Sequence, residues 1–411
     1  MSSLSADQKQ AALETQAVNN LREYLQIPSV HPNVNYDGCV KFLEKQAKSL
    51  GLPIQVHEIV KGKPVVIISW VGREPSLPSI MLNSHMDVVP VFEDKWTYKP
   101  FSAHMDEQGN IYARGAQDMK SVGIQYLEAI RWLMSKGVTL RRTLHVTFVP
   151  DEEIGGKDGM AVFVKTNLFK NLNVCFALDE GMASETDVFA LYYGERSIWQ
   201  VMFYCPGHTG HGSLLLENTP GEKVAYLLKK IYEFRKTQQD KLTDNPDMTL
   251  GDVTTVNVTK LNGGVQNNVI PPEFTFVMDS RIALSVDLQK YEEMLNRWCQ
   301  EAGQGVHFKV DKKQMHIPAT KLDATNPFWM AFKEVTDRLG LKLKPQVFPG
   351  GTDSRYLRAV GIPALGFSPI NNTPILLHDN DEFLNRCTFV RGIRYYCDIL
   401  QQVAEVEERS G

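Results

Sequence analysis

Residues 79–90 read SIMLNSHMDVVP, and residues 143–153 read TLHVTFVPDEE. Each begins as a short apolar run, the pattern of a buried strand, and each breaks into His or carboxylate side chains where that run ends. Between them Met119–Met134 carries the spacing of a helix. Strand, helix and strand, with polar residues gathered after the strands, predict a mostly parallel α/β sheet whose ligands bind beyond the strand ends.

Working outward, Pro64–Val71 and Val174–Leu178 read as further strands. Towards the end of the chain the strand Gln346–Phe348, the helix Ser354–Val360, the strand Pro363–Phe367 and the helix Thr388–Val403 repeat the α/β rhythm. Both ends of the sequence are therefore expected in one layered domain. The middle differs: Ser197–Tyr204, Val253–Leu261 and Val269–Ile282 alternate like strands, and Gly221–Lys236 and Leu288–Cys299 are amphipathic helices. That is an α+β pattern, so residues 195–312 are expected to form an inserted domain.

At 411 residues the chain exceeds one ordinary core, and two domains suit its length. A net charge of −4 supplies no general field for nucleic acid or an anionic membrane, and no run approaches the ~20 apolar residues that cross a bilayer. The N-terminal MSSLSADQKQ lacks the order of a secretory signal. Six cysteines, Cys39, Cys175, Cys205, Cys299, Cys387 and Cys397, are scattered without a C-x-x-C and read as inert thiols. A cytoplasmic protein with a small-molecule ligand is the expectation.

Four segments place candidate ligands on the sheet rim: His85 and Asp87, Asp118, Asp151-Glu152-Glu153, and Asp179-Glu180. Carboxylates a few ångströms apart raise one another's pKa and need compensation, which divalent cations supply, with imidazoles as their usual companions around zinc. The donors suffice for two metals, each with one His and one terminal carboxylate, a third carboxylate bridging and a hydroxide completing both. Adjacent residues on a strand face opposite ways, so Glu152 and Glu153 must sit on a bend, which Pro150 and Gly155-Gly156 favour. One of the two would ligate, and the other would stay free as general base. Asp87 has the short reach needed to orient the His85 imidazole.

The segments LNSHMDVVPV, IYARGAQDMK, TFVPDEEIGG, ALDEG and LGFSPINNTPILLHDNDE occur in one order between about Asn20 and Arg391. Together they resemble the zinc aminoacylase, dipeptidase and glutamate carboxypeptidase family. The resemblance implies a metallopeptidase-type catalytic domain of residues 1–194 and 313–411 and a lid domain of residues 195–312 that dimerises. It implies two Zn²⁺ per subunit, one held by His85, Asp118 and Glu180 and the other by Asp118, Glu153 and His378, with Asp118 bridging. Glu152 becomes the general base, Asp87 the group behind His85, and Asp118–Met119 a cis peptide.

In the lid, the resemblance makes His211 the donor that polarises the scissile carbonyl, reaching the site of the partner subunit in a homodimer. It places Asn268 and Arg281 at the substrate, where a guanidinium suits a carboxylate. It also sets Gly351, within Gly350-Gly351-Thr352-Asp353, in a loop beside the substrate. The implied reaction is hydrolysis of N-acyl-L-amino acids to a carboxylate and a free amino acid, with dipeptidase or carboxypeptidase action, or binding without catalysis, as alternatives. The histidines His31, His57, His104, His145, His307 and His316 read as satisfied or solvent-facing, and His208 as a loop residue.

Overall fold

A computed structural model describes residues 5–407. Its larger sheet holds β1 (Ile54–Val60), β2 (Lys63–Trp70), β3 (Ser79–His85), β4 (Leu144–Val149), β5 (Val174–Asp179), β6 (Val188–Glu195), β7 (Lys342–Phe348) and β8 (Ala364–Phe367). The spatial order is β1-β2-β4-β3-β5-β8-β6-β7. The centre β4-β3-β5-β8 is parallel, while β1 and β2 pair antiparallel with each other, β2 pairs antiparallel with β4, and β6 does so with β8.

Successive residues on these strands enter different cores, which explains why the central strands read as unbroken apolar runs. Val66, Ile68, Ile80, Leu82, Val146 and Phe148 face one cluster, whereas Val65, Ile67, Met81, Val149 and Ala177 face another. The first cluster is roofed by α1 (Ala6–Leu25), α2 (Asp37–Leu50), α3 (Lys120–Ser135), α4 (Pro327–Arg338) and α6 (Arg386–Ala404). Leu357 of α5 (Ser354–Ala359) packs in the second. The helix α3 lies close on the sheet because Gly123 has no side chain: a Cβ there would stand 2.7 Å from Ser84 Oγ and 2.8 Å from Phe148. That approach sets the start of α3, and hence Asp118 just before it, against the end of β3.

The chain divides into two compact units, Met1–Tyr193 with Ala319–Pro345 and Thr352–Gly411, and Gly194–Pro318 with Gln346–Gly351. In the second, strands Thr255–Gly263, Glu273–Ile282, Ser197–Pro206 and His307–Lys313 lie in that order, all antiparallel. Trp199, Val201, Phe203 and Cys205 alternate into its core beside Leu227 and Tyr291 of its two helices, Pro220–Asp244 and Leu288–Ala302.

Three details differ from the sequence pattern. The expected strand Val269–Ile282 is broken into Val269–Ile270 and Glu273–Ile282, because Pro271-Pro272 has no N–H for a ladder. The helix expected from Gly221 begins at Pro220, capped by a reciprocal Thr219–Glu222 box. Residues just beyond 312 stay with the second unit, since the Gln314 and His316 side chains and backbone bond Ile198, Trp199 and Ser197. Among the described residues no helix is long and apolar enough to cross a membrane.

Candidate metal centre

The strand β3 ends at His85, which is buried. Its Nδ1 lies 2.8 Å from the Asp87 carbonyl, an acceptor only, so Nδ1 carries the proton. Nε2 then points at Asp118 Oδ1, 3.0 Å away, and Glu180 Oε2, 3.5 Å away. On the other side of Asp118, Oδ2 is 3.2 Å from His378 Nε2, which also lies 3.1 Å from Glu153 Oε2. Each oxygen of Asp118 thus serves a different His and carboxylate pair.

Local structure delivers each of these groups. The Asp118–Met119 peptide is cis. The turn before it is gathered by the buried Glu382 carboxylate, which accepts from Gly115 N, Gln117 N, Asp118 N and Arg114 Nη1. Glu180 follows Asp179, whose carboxylate accepts from Asn83 Nδ2 and from Ser354 N and Oγ. Asp151 takes the left-handed conformation, φ 61°, and Glu152–Ile154 form one 3₁₀ turn. Asp87 closes that turn by accepting from Glu152 N at 3.1 Å and Glu153 N at 3.0 Å.

The electrostatics follow from burial and crowding. Burial and the Glu180 charge hold Glu152 well above the usual carboxylate range. Burial and Asp118 raise Glu180 likewise and bring Glu153 up to about 7. Bonds to Asp118 and Glu153 raise half-exposed His378 to about 10. Burial opposes ionisation of Asp87, but hydrogen bonds from His31 and His85 outweigh it and keep Asp87 below its ordinary value. Four carboxylates, Asp118, Glu152, Glu153 and Glu180, therefore confront two imidazoles, and Glu153 Oε1 is buried without a hydrogen-bond partner. Divalent cations fit this donor set, because they would turn the repulsion into ligation and use the lone pair that the neutral His85 tautomer presents. Ligand atoms of His85, Glu152 and Glu180, and those of His85, Asp118 and Glu153, each fall within 4.8 Å of one another.

Residues 81–402 match the model of Peptidase family M20/M25/M40. The chain belongs to this peptidase family. It is 48% identical over 398 residues to Aminoacylase-1 of Mus musculus, covering 97% of this chain and 98% of that one. Aminoacylase-1 of Dictyostelium discoideum is 42% identical over 408 residues, with 96% and 99% covered. Among solved structures, the M20 family metallo-carboxypeptidase Sso-CP2 from Sulfolobus solfataricus shares the fold at a TM-score of 0.71 and 19% identity, with 95% and 99% covered. So does the Bacillus subtilis YXEP protein, described as a dinuclear metal-binding peptidase, at 0.68 and 17%, with 97% and 100% covered.

In this M20 chain the remaining candidate residues fall in the second unit. His211 is exposed on the short strand Gly210–His211, paired with Val269–Ile270. Its Nδ1 meets Ser213 Oγ at 2.8 Å, and its Nε2 lies 3.4 Å from Asn268 Nδ2. Arg281 donates to Asp279 at 2.8 Å. Gly351 closes the segment Gln346–Gly351. Sequence reasoning missed Glu382, although it lies four residues after His378 in a quoted motif, and missed the brace formed by His31, Tyr36 and Lys63 behind the Glu152 turn. A lone His and Tyr in a loop gave no signal of it.

Proposed function

We propose that the chain hydrolyses N-acyl-L-amino acids with two zinc ions, giving a carboxylate and a free amino acid. The carrying observation is Asp118, whose two oxygens address His85 and His378 separately, each beside a further carboxylate. Similarity to Aminoacylase-1 over nearly the whole chain supports the acyl amino acid as substrate. His85, Asp118 and Glu180 would hold one ion, and Asp118, Glu153 and His378 the other. The ions supply Lewis acidity at the amide carbonyl and a water of lowered pKa.

Glu152 is the general base. Its buried carboxylate takes a proton from the attacking water and passes it to the amide nitrogen as the C–N bond breaks, so the amino acid leaves as a neutral amine. His211 donates a hydrogen bond to the carbonyl oxygen as charge develops there. Arg281 and Asn268 grip the carboxylate of the amino acid, and Gly351 leaves room for the substrate. In a homodimer His211 acts on the partner's site. Support for dimerisation comes from the fully exposed Leu215 and largely exposed Val265, apolar side chains close in sequence to His211 and Asn268 that a partner would cover. Cys39, Cys205, Cys299, Cys387 and Cys397 are free thiols, which suits a reducing compartment such as the cytoplasm.

The test is turnover by purified zinc-loaded protein of a panel of N-acetyl amino acids and dipeptides. N-acetylmethionine should be cleaved and chelator-treated protein should be inactive. Cleavage of dipeptides alone would move the substrate assignment to a dipeptidase, and no turnover of either class would overturn it.

A further inference from the structure

The loop between α1 and α2 supplies two side chains to the back of the metal centre. Residues Ser29–His31 run beside Asp87-Val88: Val88 N donates to Ser29 O at 2.9 Å, and His31 N donates to Val88 O at 3.1 Å. This holds the His31 imidazole against Asp87, Nε2 to Oδ2 at 2.8 Å, with His31 only 9% exposed and Asp87 fully buried. Five residues on, the Tyr36 hydroxyl donates to Asp151 Oδ1 at 2.7 Å and accepts from Asp151 N at 3.0 Å. Lys63 Nζ reaches Asp151 at 2.8 Å. The Glu152 turn is therefore clamped at Asp151 by Tyr36 and Lys63 and at its N–H groups by Asp87.

Asp87 is the joint of this assembly. Its carbonyl fixes the His85 tautomer, and its carboxylate accepts from Glu152 N, Glu153 N and His31. The two backbone donors lie on the turn that Asp87 must hold in place, so His31 is the side chain that anchors the carboxylate from a separately fixed segment. Without it, Oδ2 keeps one backbone donor, and a buried carboxylate short of a donor reorients to find another. Such a rotation would shift the Glu153 ligand and the Glu152 base together. His31, Asp87 and Asp151 also present ligand atoms within 4.8 Å of one another. A cation is already there in the form of Lys63 Nζ, so the cluster reads as a brace and not as a third metal site.

We propose that His31 is a positioning residue: by donating to Asp87 it fixes the orientation of His85 and of the Glu152-Glu153 turn, and so sets metal affinity and kcat without touching substrate. This rests on the two-metal reading of the centre. Loss of a group behind a ligand typically weakens metal binding about 10–100-fold. For His31→Ala the expected change is about 10-fold weaker zinc binding and about 10-fold lower kcat, with KM within about twofold, since the group lies one residue further from the ion. His31→Gln keeps an N–H at similar reach and should recover most of both losses.

The experiment is chelator competition for zinc on the full chain, with steady-state kinetics on N-acetylmethionine, for wild type, His31→Ala, His31→Gln and a control on the edge strand β1, His57→Ala. Weakened zinc binding in His31→Ala with rescue in His31→Gln supports the proposal, and His31→Gln carries the comparison if His31→Ala does not fold. Wild-type zinc affinity and kcat in folded His31→Ala overturn it, as does a folded His31→Gln that is as impaired as the alanine variant. Wild-type protein that takes up no zinc overturns the two-metal reading and this inference with it. Zinc-replete wild type beside an unaffected His31→Ala overturns the inference alone.

Discussion

Around the metal centre His85, Asp118 and Glu152 are each held by a buried partner, whereas His211, Asn268 and Arg281 are tied mainly to near neighbours in their own strands and turns. His85 is fixed by the Asp87 carbonyl, Asp118 by Glu382, and Glu152 by Asp87. His211 instead stands exposed with Ser213 and Asn268 beside it, and Arg281 is half-buried against Asp279 two residues away. The first region is thus preorganised by contacts within its own unit, as ligation requires, while the second presents its side chains outward.

If that division is right, the largest effect comes from the preorganised side. His85→Ala should lose zinc, and with it several kcal/mol of charge stabilisation, on the order of 10³ or more in kcat. Metal analysis after gel filtration, alongside turnover, checks this, and an active metal-replete variant would remove His85 from the ligand set.

The outward side should cost less and leave the metal alone. His211→Ala is expected to lower kcat about 10²–10³-fold with zinc content unchanged, the range for loss of one oxyanion donor. Action in trans adds a sharper outcome: Glu152→Ala and His211→Ala chains, inactive separately, should regain about a quarter of the wild-type sites when co-expressed in equal amounts, because half of the dimers are mixed and each of those has one intact site of two. Mixed dimers, shown by two tags, that stay inactive would confine His211 to its own chain or to no catalytic role.

Smallest in its consequence for catalysis is His145, which lies on β4, the strand next to that of His85. His85 and His145 are both largely enclosed, yet carboxylates raise the first well above its ordinary value against the pull of burial. Burial alone lowers the second to about 4, with Ser69 Oγ 2.8 Å from its Nδ1. Between the unfolded value near 6.5 and the folded value of about 4 the unfolded chain binds the His145 proton and the folded chain does not. The stability from His145 is therefore complete above pH 6.5 and falls away as pH drops towards 4, by up to about 3 kcal/mol. Denaturant titrations at several pH values should show a shallower fall for His145→Gln than for wild type, and parallel curves would contradict it.

The same contrast explains what could be read from the chain. Strands β3 and β4 were legible because both of their faces are buried and their polar ends carry chemistry that apolar runs do not. The adjacent Glu152 and Glu153 demanded a bend on geometric grounds alone. His31, Tyr36 and Glu382 were not legible, since each acts through a contact with residues 56, 115 and 264 or more positions away, and nothing local distinguishes them from satisfied polar groups. The broken strand at Pro271-Pro272 was readable from the missing N–H groups but was masked by the alternation on both sides.

If Glu152 moves the proton while other residues hold the metal, Glu152→Gln separates those two duties. Its zinc content and kcat on N-acetylmethionine should be measured on the same preparation. Wild-type zinc is expected, with kcat lower by about 10²–10⁴-fold, the usual contribution of a general base. Near wild-type turnover would contradict Glu152 as the base, and loss of zinc would make it a ligand.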